Sequence, residues 1–176
     1  MSVDVGIDVG LLKSEIKKTY ACVSDEPEGD FIFPTGRAWA EDLGYPAELA
    51  NVPDKAVESF AGVANLWQLG RLAPGERVLD LGSGAGTDSL IAAQMVGERG
   101  RVTGIDMTVE MLAKARAAAA EAGLANVEFV EAEAEWLAPG LRQIDDAGEA
   151  GGEHLALLGD DVVIGFGVPL DDFGGL

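Results

Sequence analysis

The stretch Val78-Leu79-Asp80-Leu81-Gly82-Ser83-Gly84-Ala85-Gly86 decides the fold. Its first four residues have the apolar character of a buried strand, and its last five place glycine at every second position before a helical pattern opens at Thr87. Glycine lets the backbone turn sharply and removes the side chains that would hold a ligand away from a helix N-terminus. A strand running through such a turn into a helix predicts a cradle for a nucleotide-bearing cofactor. The order of the glycines narrows the choice. A dinucleotide fingerprint needs Gly-x-Gly-x-x-Gly, and counting from Gly82 the sixth position is Thr87. A nicotinamide-dependent oxidoreductase is therefore disfavoured. The pattern present is acid-x-Gly-x-Gly-x-Gly, from Asp80 to Gly86.

Outward from this stretch the grammar stays regular. A strand over 77–81 leads to a helix over 87–96, which Gly97 and Gly100 stop. A strand over 101–105, a helix over 109–122 ended by Gly123, a strand over 126–131 and a fourth over 161–164 follow. Alternating strands and helices predict an α/β, Rossmann-like and mostly parallel sheet with flanking helices. Met111, Ala115, Ala119 and Ala122 share one face of the 109–122 helix, leaving Lys114, Arg116 and Glu121 for solvent. Residues 138–154 combine Pro139 with four glycines and a run of acids, and are expected to form a loop.

Upstream, Leu11, Leu12, Ile16 and Tyr20 lie close to helical spacing and predict an amphipathic helix over 11–20. Pro27, Gly29 and Pro34 surround Phe31, Ile32 and Phe33 in a segment expected to be irregular. Two short helices, over 38–43 and 54–60, are divided by Gly44-Tyr45-Pro46 and Asn51-Val52-Pro53 and form a cap before the core. The organisation expected is an N-terminal extension and cap over 1–70, a cofactor-binding core over 71–137, and an acidic C-terminal segment over 138–176.

Composition bounds the function. The chain of 176 residues carries 31 acids against 12 bases, a formal charge of −19, which repels polyanions and argues against a nucleic-acid partner. From Glu131 onward there are 11 of those acids and one base, Arg142. No run approaches the roughly 20 apolar residues of a membrane span, and no basic-then-apolar leader opens the chain, so no membrane partner and a cytoplasmic setting are expected. Cys22 is the sole cysteine, which excludes an intramolecular disulfide and a thiol-built metal site, and no metal is expected.

The segment from about Phe31 to Leu137 resembles the class I S-adenosylmethionine-dependent methyltransferases, and within them the arsenite methyltransferase-like branch. The glycine stretch from Val78 to Ser89 carries the likeness to the superfamily. Gly104-Ile105-Asp106-Met107-Thr108, the run from Glu110 to Ala115, and Ser59-Phe60-Ala61-Gly62-Val63 point to the branch. The resemblance implies S-adenosylmethionine as cofactor, a small-molecule methyl acceptor, and Asp80, Gly82, Ser83, Gly84, Gly86, Asp106, Met107, Glu133 and Ala134 as cofactor contacts. The chemistry of each suits that role. Asp106, 20 residues past Gly86, can accept from two ribose hydroxyls. Met107 can lie against adenine. Glu133 can accept from the adenine amino group, with the Ala134 amide facing the ring, and Asp80 can orient the methionine amine. Tyr45, Asn65 and Trp67 are candidates to line the acceptor site beneath the cap, although packing is the simpler role for each. No catalytic residue is assigned, because an activated methyl donor needs alignment more than a base.

Two departures from the family stand out. Arsenite-active members hold their substrate through several thiols, whereas this chain has Cys22 alone and Ser83 where relatives often carry cysteine, so arsenite is not the expected acceptor. After Trp136 the likeness lapses until Asp161-Val162-Val163-Ile164, and the 99 residues from Val78 onward suit a sheet of about four strands rather than the family's seven. A shortened sheet would leave the strand over 162–168 at an open edge and invite self-association. The alternative to an active enzyme is a catalytically incompetent relative that binds S-adenosylmethionine or serves as a partner subunit.

Overall fold

The computed structural model describes residues 8–27, 29, 31, 33–132, 142–143, 156–158 and 161–165. Six strands form one sheet in the order β3-β2-β1-β6-β5-β4. They are β1 (Arg77–Leu81), β2 (Arg101–Asp106), β3 (Val127–Glu131), β4 (Arg142–Gln143), β5 (Ala156–Leu158) and β6 (Asp161–Gly165). The first four in that spatial order run parallel, with Asp80 opposite Gly104 on one side and Ile164 on the other, and Gly104 opposite Phe129. Four parallel strands match the expected shortened sheet. Beyond them β5 pairs antiparallel with β6, and β4 with β5. This corrects two expectations. The strand at β6 is not an open edge, since β5 satisfies its outer hydrogen bonds. Arg142 and Gln143 form a short strand instead of a loop.

Among the described residues five α-helices accompany the sheet: α1 (Val9–Asp25), α2 (Gly36–Asp42), α3 (Asp54–Val57), α4 (Thr87–Val96) and α5 (Val109–Glu121), with 3-10 turns at Ala47–Asn51 and Leu66–Leu69. Helix α4 is apolar nearly all round and buried nearly all round, which suits a helix enclosed on one side by the sheet and on the other by the cap. Its Leu90, Ile91 and Val96 belong to the same core cluster as Leu49, Val52, Val57, Phe60 and Trp67 of the cap. Asn126 closes its last turn by donating from Nδ2 to the carbonyls of Ala93 and Gly97, both at 2.9 Å.

Helix α5 buries Met111, Leu112, Ala115, Ala118 and Ala119; Leu112 and Ala118 join the expected stripe, and Ala122, at the helix end, is only half-buried. Of its bases expected at solvent, Lys114 is partly buried while Arg116 stays exposed, and both are tied to neighbours. Lys114 bonds Glu58 at 2.8 Å and Ser59 at 3.0 Å, and Arg116 donates to the Phe129 carbonyl at 2.8 Å. The predicted helix over 54–60 ends at Val57, because the chain must turn to bury Phe60 beneath the cap. Helix α1 is longer than expected, with Asp8 as its N-cap accepting from the Leu11 amide. Its register also differs from the simple amphipathic reading: Leu11 is 61% exposed, while Val23 is fully buried against Ala85 and Met111.

Candidate functional site

The carboxyl ends of β1, β2 and β6 meet where the sheet order reverses, the place at which open α/β sheets bind ligands. The glycine loop fills this crevice. Gly82 and Gly84 hold φ of +74° and +51°, and a Cβ added to either would meet no atom within 4 Å, so their faces look onto open space. Gly86 behaves differently. With φ of +90°, its added Cβ would stand 2.9 Å from Phe129 Cζ and 3.0 Å from Ala115 Cβ. Its missing side chain lets α4 close onto β3 and α5, so Gly86 is a packing glycine rather than the cofactor-facing one expected.

The amides of Gly82, Ser83, Gly84 and Gly86 already have partners. Those of Gly82 and Ser83 donate to the Ile105 carbonyl at 2.8 and 2.9 Å, that of Gly84 to Asp106 Oδ2 at 2.9 Å, and that of Gly86 to the Ser83 carbonyl at 2.8 Å. A phosphate-binding loop points such amides at its anion. Here they are turned inward, and the groups gathered around the crevice are carboxylates, an arrangement suited to a cation and not to a pyrophosphate. Ser83 is buried, and its Oγ has no hydrogen-bond partner among the described residues.

Asp106 ends β2 and is gripped from both sides: Oδ2 by the Gly84 amide and Oδ1 by the Thr108 amide at 2.7 Å. These bonds fix the carboxylate plane and leave its other lone pairs for a ligand. Met107 follows, half-buried at the start of the turn into α5. Tyr20 of α1 stands near Asp106. Burial and that carboxylate raise its phenol above the ordinary value, and its ring stacks on Phe33 with centroids 6.3 Å apart.

Asp80 lies in β1, 2% exposed, with Oδ2 accepting from Ser89 Oγ. Burial, followed by the nearby Asp88 carboxylate, pushes its pKa up to about 8, against the smaller opposing effect of the Ser89 bond. Asp88 sits in the first turn of α4 and reaches the cap. Oδ1 accepts from Trp67 Nε1 at 2.9 Å and Oδ2 from Tyr45 Oη at 3.3 Å. Its pKa is raised to about 6 by burial, although part of the residue keeps contact with solvent.

Of the expected cofactor contacts, the fold brings Asp80, Gly82, Ser83, Gly84, Asp106 and Met107 to one crevice. Gly86 turns inward, and Glu133 and Ala134 lie outside the described residues. The three candidate acceptor-lining residues are packing and capping groups. Tyr45 meets Phe60 edge-on at 4.9 Å, Trp67 is buried, and Asn65 Nδ2 donates to the carbonyls of Leu43 and Gly44. Sequence reasoning missed Asp88, Ser89 and Tyr20. An acid in the first turn of a helix is a readable dipole partner, but nothing local reveals partners 21 and 43 residues upstream. A separate cleft of about 820 Å³, lined by Glu26, Arg37, Asp54 and Glu58 among others, shares no residue with this crevice. Three of these charges are already engaged: Arg37 bonds Asp54 and the carbonyls of Leu49 and Val52, and Glu58 bonds Lys114.

Among the described residues no helix is long and apolar enough to cross a membrane, and no group of metal-ligating side chains gathers. Residues 72–145 match the profile of a methyltransferase domain. Over 123 residues the chain is 45% identical to the arsenite methyltransferase of Halobacterium salinarum, covering 69% of this chain and 28% of that protein. It is 47% identical over 74 residues to the arsenite methyltransferase of Aquipseudomonas alcaligenes, covering 38% of this chain and 21% of that one. The chain thus spans under a third of the length of these two relatives. Among solved structures, an arsenic(III) S-adenosylmethionine methyltransferase from Chlamydomonas reinhardtii superposes with a TM-score of 0.47 at 40% identity, over 55% of this chain and 34% of that one. Residues 72–145, with the glycine loop they contain, carry the match to a methyltransferase domain, and over 69% of its length the chain is similar to an arsenite methyltransferase.

Proposed function

We propose that this chain carries S-adenosylmethionine-dependent methyl transfer to a small-molecule acceptor. The observation that supports it most is the inward turn of the loop amides, which leaves carboxylates and open glycine faces at the switch point instead of an anion hole. The residues present fit the cofactor on two further counts: the unpartnered buried Ser83 hydroxyl, and an Asp106 carboxylate already oriented by two amides.

When bound, the cofactor supplies a methyl group activated by its sulfonium. The protein's part is to bind and align. Asp106 holds the ribose hydroxyls, and Met107 lies beside the base. Gly82 and Gly84 permit close backbone approach, and Asp80 receives the methionine ammonium. Ser83 Oγ offers one further hydrogen bond at the loop. Glu133 and Ala134 complete the adenine end in this proposal.

Calorimetric titration with S-adenosylhomocysteine tests the assignment. Binding is expected for the native chain and is expected to weaken sharply in Asp106→Ala, which loses the ribose contacts, and in Gly84→Val, where φ of +51° strains any β-branched residue. Equal affinity in all three proteins would remove the site from this crevice. A methyl-transfer assay on the same samples separates an enzyme from a binding-only relative.

A further inference from the structure

We propose that Asp88 is a positioning residue that couples the seating of the N-terminal cap to cofactor binding at Asp80. The inference rests on the cofactor assignment above and adds a connection that the family likeness does not supply. The physical chain is continuous. Tyr45 and Trp67, from separate segments of the cap, both donate to the Asp88 carboxylate. The next residue, Ser89, donates its hydroxyl to Asp80. Cap and cradle therefore meet at two adjacent side chains on the first turn of α4, immediately after the glycine loop.

Each link has an electrostatic consequence. Asp80 is enclosed, with a hydroxyl as its side-chain donor, so its negative charge is poorly supported before a cation arrives. The titratable groups that bear on it are Asp88 from α4 and Asp106 from β2, and both oppose its ionisation. Those that bear on Asp88 are Tyr45 and, through its indole donor, Trp67, and both favour its charged form. The two cap donors thus favour the ionised form of Asp88 against its burial, and an ionised Asp88 favours a protonated Asp80 until the cofactor's ammonium displaces that proton. Removing a donor while the enclosure stays lets Asp88 take up a proton more readily and relaxes the hold on Asp80.

The test is the pH profile of S-adenosylhomocysteine affinity, measured by calorimetry on the full chain from about pH 6 to 8.5. In the native protein, affinity should rise with pH by up to about tenfold per unit while binding releases one proton, and level off as Asp80 ionises unaided. In Asp88→Asn, which keeps the side chain's shape, the rise should level off at lower pH and affinity near neutrality should increase severalfold. Trp67→Phe and Tyr45→Phe, each removing one donor, should displace the profile in the same direction by less, with the Tyr45 variant retaining the ring that packs on Phe60. A merely structural role for Asp88 would lower affinity evenly at every pH. Superimposable profiles, an even loss, or a displacement toward higher pH would each overturn the coupling while leaving the cofactor assignment standing. Absence of binding by the native chain at every pH would overturn both.

Discussion

The two walls of the crevice treat their carboxylates in opposite ways. On the β2 side, Asp106 is half-buried and receives two backbone amides, so its charge is supported by groups that cannot move away. On the β1 side, Asp80 is sealed under α4, where Ser89 alone among the described residues supplies its hydrogen bonds and a second carboxylate lies nearby. Two acids ending adjacent parallel strands thus come to differ in kind. One has its charge supported by fixed amides, and the other is held toward its neutral form by burial. The difference teaches that position at a strand end does not decide a carboxylate's chemistry; the donors and burial around it do.

The sharpest way to break this contrast is to disturb the loop that separates the walls. Gly86→Val must push a side chain into Phe129 and Ala115 at a positive φ. It should cost about 3 kcal/mol or more in denaturant unfolding, combining overpacking with left-handed strain. A cost under about 1 kcal/mol would show that α4 does not need this close approach.

A second measurement addresses the β1 wall directly. Because Asp80 holds its proton up to about pH 8 in the folded chain and releases it near its ordinary value of 3.8 when unfolded, the folded state binds more protons between those limits. Its contribution to stability is therefore fully present below about pH 4 and is lost as pH rises toward 8, at no more than about 1.4 kcal/mol per unit. Comparing urea midpoints of the native chain and Asp80→Asn across that range should show the variant gaining relative stability as pH rises. A constant difference would contradict the enclosed character of this wall.

The smallest effect concerns the β2 side. Lys114→Ala removes a half-exposed ion pair with Glu58 and a bond to Ser59, which tie α5 to the cap. A loss of about 0.5–1 kcal/mol is expected, reduced by added salt. A salt-independent loss would mean that packing of the lysine stem carries the effect instead.

Much of the core was legible because its signals are local. The ranges 77–81 and 87–96 coincide with β1 and α4, since a buried apolar run and glycine punctuation act within a few residues of where they stand. Asp106 was legible for a similar reason: its amide partners, Gly84 and Thr108, lie in the loop and turn that the pattern already placed. Helix α1 was only half legible. The spacing of Leu11, Leu12, Ile16 and Tyr20 announced a helix but not its contact face, because the partner surface is formed by Ala85 and Met111, far along the chain. Gly86 resembles its two neighbours in sequence and parts from them only when Phe129 and Ala115 close on it.

From the chain alone came the alternation of strand and helix, the sharp glycine turn and the two acids at strand ends, all consequences of backbone sterics and short-range periodicity. Tertiary packing alone decided which glycines face a ligand, which carboxylate is dry, and that Tyr45 and Trp67 hold Asp88. Burial and charge proximity are properties of neighbours in space, and those neighbours are brought together by a sheet that orders its strands differently from the chain.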